Sequence, residues 1–345
     1  VLSVWHPIMN TSDPTPASAT VSRTPLRRHA WLCLAGALAV AAGLALGSEG
    51  WAWPWGELAQ PVVWELRWPR SMGAWLAGAL LGLAGALGQT LFRNPLADPY
   101  LLGTASGAGL GVALGLVVAQ GLWSLPPVMM RWGSTGLAFA GAWLAIALAL
   151  WWARGLTHTP RLLLAGVVVG VVLSAATSAL MLSVPPAWAG FQAFMLGTTQ
   201  AIDRDALWVL VLGLVLCFWV AWYWASALDL ISLGEDTARS LGLNLTRART
   251  MLLLSMTLAT ALAVSHTGLI AFVGLVAPHL VRSLGRIRPS QLWAQSAWAG
   301  GLLLVSADLA SRWWWAPLEW PVGVLTALIG GLYLLSRLGR FGADP

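Results

Sequence analysis

The sequence contains no lysine: all 19 of its cationic side chains are arginines, set against 13 Asp and Glu. Charge of either sign is scarce, at 9% of 345 residues, where soluble domains carry roughly 25%. So little charge cannot cover the surface of a water-soluble protein of this length, which excludes a soluble enzyme. The only cysteines, Cys33 and Cys217, both lie inside apolar runs, so a disulfide framework and a cysteine metal site are excluded too. No Gly-x-x-x-x-Gly-Lys-Ser/Thr loop occurs, so nucleotide cannot be cradled in that way and energy for uphill movement must come from a partner. The arginines stand singly between apolar runs rather than in a basic stripe, which speaks against nucleic acid as a partner.

What is abundant is apolar surface: 58% of the residues are hydrophobic and the mean hydropathy is +0.74. A spanning helix needs about 20 apolar residues. The chain therefore reads as an all-α, polytopic membrane protein of about ten transmembrane helices. Residues 1–30 are polar and read as a disordered cytoplasmic tail ahead of a single transmembrane domain over 31–340. Translation is expected to start at Val1 or at Met9. Spans are expected at 31–47, 71–91, 100–120, 133–153, 161–183, 206–226, 250–267, 268–282, 292–311 and 321–337. The eighth is too short to cross upright and predicts a broken helix inside the bundle. With the N-terminus inside, 14 of the 19 arginines fall on the inner side. That is the sense of the positive-inside rule and places both termini on the cytoplasmic side.

Several residues stand out. Gly78, Gly82 and Ala86, and Gly103, Gly107, Gly111 and Gly115, recur every four residues and predict close helix contacts. Many of the 24 tryptophans lie near span ends, as an interfacial belt requires, which makes membrane lipid a partner. Asp308 is the clearest intramembrane acid, with Arg312 one helical turn later to neutralise it. His266 and His279 flank the short eighth span. Thirteen residues apart, they make no metal site. His279 beside Pro278 is expected to cap or orient a helix end, and His266 to sit near a cavity. The polar segment from Leu233 to Leu245 is bracketed by Gly234 and Gly242 and predicts a cytoplasmic helix on which a soluble partner can push. An ion-coupled secondary transporter is the alternative, disfavoured by the missing proton relay. A membrane enzyme using His266, His279 and Asp308 is a third reading.

Six stretches carry a further signal: Leu66–Arg70, Phe92–Gly103, Arg161–Gly166, Leu233–Gly242, Gly268–Arg282 and Pro321–Gly330. Together, and most of all through Asn94-Pro-Leu-Ala-Asp-Pro99 and Gly274-Leu-Val-Ala-Pro-His279, the chain resembles the permeases of type II ATP-binding-cassette importers for cobalamin, ferric siderophores and haem. The resemblance implies a homodimer of ten-helix subunits in a bacterial inner membrane, an ATPase dimer beneath it and a periplasmic binding protein above it. It implies a transport subunit with no catalysis, cofactor or metal of its own. It assigns the cytoplasmic gate to Asn94, Leu96, Thr159 and Pro160. ATPase coupling falls to Gly234, Glu235, Asp236, Arg239 and Gly242, and binding-protein docking to Arg67, Arg70 and Arg312. Ser265-His266-Thr267 departs from the usual small or apolar residues, which makes His266 a ligand-path candidate.

Overall fold

A computed structural model describes residues 24–47, 50–51, 60–121, 127–153, 159–314 and 316–341. The elements are α1 (Thr24–Ala45), β1 (Leu46–Gly47), β2 (Gly50–Trp51), α2 (Gln60–Val62), α3 (Trp68–Leu91), α4 (Thr104–Gly121), α5 (Pro127–Ala153) and α6 (Thr159–Ser183). They continue with α7 (Trp188–Leu196), α8 (Arg204–Tyr223), α9 (Ala225–Ser232), α10 (Glu235–Ser240), α11 (Leu245–Thr267), α12 (Val273–Ser283), α13 (Pro289–Trp313) and α14 (Val322–Phe341). A π-helical turn, Val63–Arg67, runs directly into α3. The two short strands form a minimal antiparallel ribbon, with Leu46 opposite Trp51.

Each of the ten expected spans coincides with a helix: α1, α3, α4, α5, α6, α8, α11, α12, α13 and α14. Five helical stretches among the described residues are long and apolar enough to cross a membrane, namely Val63–Leu91, Gly133–Ala153, Pro160–Ser183, Arg204–Tyr223 and Leu245–Thr267. Helix α12 has only 11 residues, and residues 268–272 ahead of it are unwound. Helix α1 begins at Thr24, so a helix takes the last seven residues expected to belong to the tail. Residues 1–23 lie outside the described residues. Helix α8 stops at Tyr223 and the chain bends at Trp224 into α9, so the sixth span begins two residues earlier and ends three residues earlier than expected.

Helix α3 is the axis of the bundle, with every residue from Leu76 to Leu91 buried. A helix apolar on all sides belongs in the middle. It packs against α13, α11, α12 and α8, while α4 and α5 pair beside it. The glycine seams perform as expected except at Gly103, which lies ahead of α4 at φ 80 and faces Gly166 and Gly170 of α6 instead. A Cβ at Gly78 or Gly82 would overlap the backbone carbonyl of Gly300 or Ser296 on α13, and one at Gly107 would overlap that of Gly141 on α5. Such helices touch backbone to backbone, where dispersion between close-packed surfaces replaces the hydrophobic drive that lipid cannot supply. Trp151 and Trp152 at the end of α5, and Trp313 and Trp314 at the end of α13, are exposed.

Candidate functional site

The two ends of the bundle carry nearly all the described charge, and each holds one group of candidate residues. At the first end the connection from α3 to α4 is built by short-range hydrogen bonds. Asn94 Oδ1 accepts from the Leu96 amide at 2.9 Å, and Asp98 Oδ1 accepts from the Tyr100 amide at 2.7 Å. Asx turns of this kind give the backbone partners where no helix does. Arg93 sits at φ 48 to start the turn, and Asn94 and Leu96 are exposed at its tip. The Tyr100 hydroxyl donates to the Ile270 carbonyl at 3.0 Å, joining this connection to the unwound segment before α12. Burial pushes the Asp98 carboxyl up to about 6, although the Tyr100 amide pulls the other way. Thr159 and Pro160 open α6, and Pro160 is exposed. The first turns of α6 abut the same connection, since Gly166 leaves no room for a Cβ beside Leu101 and Leu102.

Helix α10 lies at the same end. Gly234 at φ 118 precedes it and Gly242 at φ 83 follows it. The Leu243 amide donates to the Ala238 carbonyl at 3.0 Å, and the Gly242 amide to that of Arg239 at 2.9 Å. This pair of bonds closes a helix through a left-handed residue, which glycine adopts without strain. Glu235 meets Arg249 of α11 at 2.6 Å and Arg239 at 3.6 Å, and Arg239 also meets Asp236 at 3.6 Å. The Arg249 hydrogen bond holds the Glu235 carboxyl below the usual range, burial opposes it, and Arg249, Arg239 and Arg93 add charge stabilisation. Asp236 is fully exposed.

At the opposite end Arg70 donates to Asp308 at 3.0 Å and to Glu319 at 2.8 Å. Arg312 pairs with Asp308 one turn earlier and donates to Ser71 at 3.3 Å. Thr199 donates to Asp308 at 2.5 Å, and Gln200 to Glu319 at 2.5 Å. Asp308 is wholly buried, and the Arg312 side chain is 2% exposed. A buried charge is tolerable only when paired and hydrogen-bonded, and for Asp308 this network meets that condition by drawing on α3, α13 and two connections. Arg67 donates to the carbonyls of Leu44 and Ala45, both at 3.2 Å. Arg67, Arg70, Glu65, Asp203 and Glu319 line an open cleft of ≈ 660 Å³.

The sequence-predicted residues therefore fall into two sets. The gate and coupling candidates share one end, and the docking candidates share the other. All three of the latter line the cleft, but the Arg312 side chain is almost wholly covered by protein. His266 lies one residue before the end of α11, near the cleft's end of the bundle. It lines an adjoining cavity of ≈ 210 Å³ with Thr198 and Asp203, and its Nδ1 lies 2.9 Å from the Leu262 carbonyl, to which it donates. His279 needs a correction: it lies inside α12, not at a helix end, with its ring edge-on to Tyr333. Among the described residues no group of three or more His, Cys, Asp or Glu is placed to hold a metal ion. Sequence reasoning missed Arg249, Tyr100, Thr199 and Glu319. Each acts on a residue too distant in the chain for any periodicity to reveal it.

Comparison with known proteins extends this picture. The profile described as the FecCD transport family matches residues 30–340. The vitamin B12 import system permease protein BtuC of Serratia proteamaculans is 38% identical over 320 residues, covering 90% of this chain and 93% of that protein. BtuC of Pectobacterium atrosepticum is 37% identical over 296 residues, covering 85% and 87%. A metal-chelate type ABC transporter solved in an inward-facing conformation superposes with a TM-score of 0.83 at 24% identity, covering 92% of this chain and 99% of that one. PsaBC from Streptococcus pneumoniae superposes more loosely, at 0.55 and 16% identity, covering 87% and 95%.

Proposed function

Because the chain belongs to the FecCD transport family, a family of importer permeases with the type II fold, we propose that it moves a bulky metal chelate from periplasm to cytoplasm. Cobalamin is the chelate we put first, ahead of ferric siderophores and haem. The observation that carries this choice is identity of 35–38% over most of the chain to permeases named for vitamin B12. In this reading two copies form the path, and the exposed aliphatic faces of α6 (Leu164, Val167, Val171) and α14 (Leu328, Leu332) meet each other or lipid. An ATPase dimer pushes on α10, the end therefore placed in the cytoplasm together with both termini. Asn94, Leu96, Thr159 and Pro160 gate that end. Alternating access then requires motion at α10 to reach the gate connections, and Arg93, Tyr100 and Arg249 supply the physical contacts.

The experiment is uptake into vesicles holding the complete importer. Labelled cyanocobalamin should accumulate only with ATP inside the lumen that faces α10 and should resist a protonophore. Accumulation that needs a proton gradient and no ATP would sink the ATP-driven reading. Uptake of a ferric hydroxamate or haemin in place of cyanocobalamin would reassign the chelate.

We place binding-protein docking on the cleft at the opposite end. Arg70 already serves Asp308 and Glu319, so Arg67 is the cation free of carboxylate bonds to the cluster and the cleaner test. Steering contacts act on association rate and fade with salt. Arg67→Glu should slow association of the binding protein several-fold at low ionic strength, and less at high; equal rates at both salts would remove Arg67 from the contact.

A further inference from the structure

Helix α10 cannot hold itself in place. It has six residues, far below the roughly 12–15 at which an isolated helix becomes even marginal in water. Its one buried side chain is Ala238, too small to anchor it. Asp236 is fully exposed and the Arg239 side chain is 56% exposed, so their contact is a surface pair of little worth. One contact is different in kind. Glu235 meets Arg249 at 2.6 Å, and the Arg249 side chain is only 7% exposed, fixed within the first turns of α11.

A second guanidinium meets the same carboxylate, and a third acts on it from further away. Arg239 comes from α10 itself at 3.6 Å, and Arg93 comes from the connection after α3. Arg93 acts on Glu235 through its charge, and its Nη1 would lie 3.8 Å from a Cβ placed on Gly234. Three positive charges from three elements thus converge on one anion. Removing that anion leaves them repelling one another, with Arg249 buried.

We infer that Glu235 is an internal clamp that makes α10 one body with the start of α11 and with the Arg93 connection, rather than a contact offered to the ATPase. The inference rests on the proposed coupling role of α10 for its consequence in transport, but the clamp itself does not. Glu235 is a positioning residue, and the exposed Asp236 and Arg239 are left to meet the partner.

The test begins with the subunit alone, solubilised in detergent. In Glu235→Gln, amide hydrogen exchange over residues 236–242 should quicken by about tenfold or more, the loss expected for a charge-assisted hydrogen bond. Arg249→Gln should do the same, and the double variant should be no worse than either single one. Asp236→Asn should leave exchange unchanged. Unchanged exchange in Glu235→Gln, or strictly additive effects in the double variant, would overturn the clamp.

Cells carrying the complete importer then separate clamp from contact. Glu235→Gln should retain its co-purified ATPase within about twofold while cyanocobalamin uptake drops roughly tenfold, the size of one lost charged hydrogen bond. Loss of the ATPase with exchange still slow would make Glu235 a partner contact and end the proposal. If wild-type cells take up no cyanocobalamin, the transport reading fails, and the exchange data alone decide the clamp.

Discussion

Asp98 is held against its own electrostatics. The carboxylate caps the turn that begins at Pro99 by accepting from the Tyr100 amide, yet burial raises it from 3.8 to about 6. A carboxyl raised in the folded state binds more protons there than in the unfolded chain. Stability is therefore highest below 3.8, falls as pH climbs from 3.8 to about 6, and stays lowered above that. An amide keeps the accepting oxygen and sheds the charge. Asp98→Asn should accordingly stabilise the solubilised protein at pH 8 by on the order of 1–3 kcal/mol, and by less at pH 5. Thermal unfolding at the two pH values decides it; an equal gain at both, or none at pH 8, would mean that the charge is not the cost. Asp308 is the contrasting case, because its burial is answered by Arg70, Arg312 and Thr199. Asp308 and Arg312, one turn apart, were readable as a pair. Arg70 and Thr199 were not, standing 238 and 109 residues from Asp308.

Among the elements, the contact between α3 and α13 is the most exacting. Gly82 faces the Ser296 carbonyl with no space for a methyl group, whereas Gly136 on α5 has nothing within 4 Å of where its Cβ would be. The same substitution should therefore have opposite signs at the two sites. Gly82→Ala should destabilise by about 1–3 kcal/mol through overpacking against backbone that cannot yield. Gly136→Ala should be neutral or stabilise by up to about 1 kcal/mol, since glycine is a poor helix former. Denaturation of both variants in one detergent measures the difference, and a neutral Gly82→Ala would refute the close contact. The repeat of small residues every four positions made this seam legible in advance. The short helices α7 and α9 were not legible. Each is under ten residues, and the bend at Trp224 interrupts an apolar run with no glycine or proline to mark it.

For the molecule as a whole, the apolar runs were enough to anticipate the ten spanning positions at which helices stand and the incomplete eighth, because lipid leaves a chain few ways to satisfy its backbone. What they left open was the use of the arginines. The positive-inside rule counts charges by side and does not say which are spent on partners within the chain. Arg249 counted there as one more inner charge, and in the structure it is buried against Glu235. Arg312 counted as an outer one, and it is enclosed by Asp308, Ser71 and Gly43. Two residues expected to serve similar surfaces thus turn out to differ, since Glu235 is tied inward and Asp236 faces solvent.

Helix α11 joins the two ends of the molecule. Its first turns hold Arg249, and its last residue, Thr267, accepts a hydrogen bond at 2.7 Å from the amide of Thr198 in the opposite connection. Twenty-three helical residues make a rod about 35 Å long. In mechanical terms it is a strut loaded at both tips, and a strut transmits displacement without amplifying it. A shift at the Glu235 tip would arrive at the Thr198 tip at its original size, and the unwound stretch at 268–272 just beyond is the first point where the chain can convert that push into a change of direction.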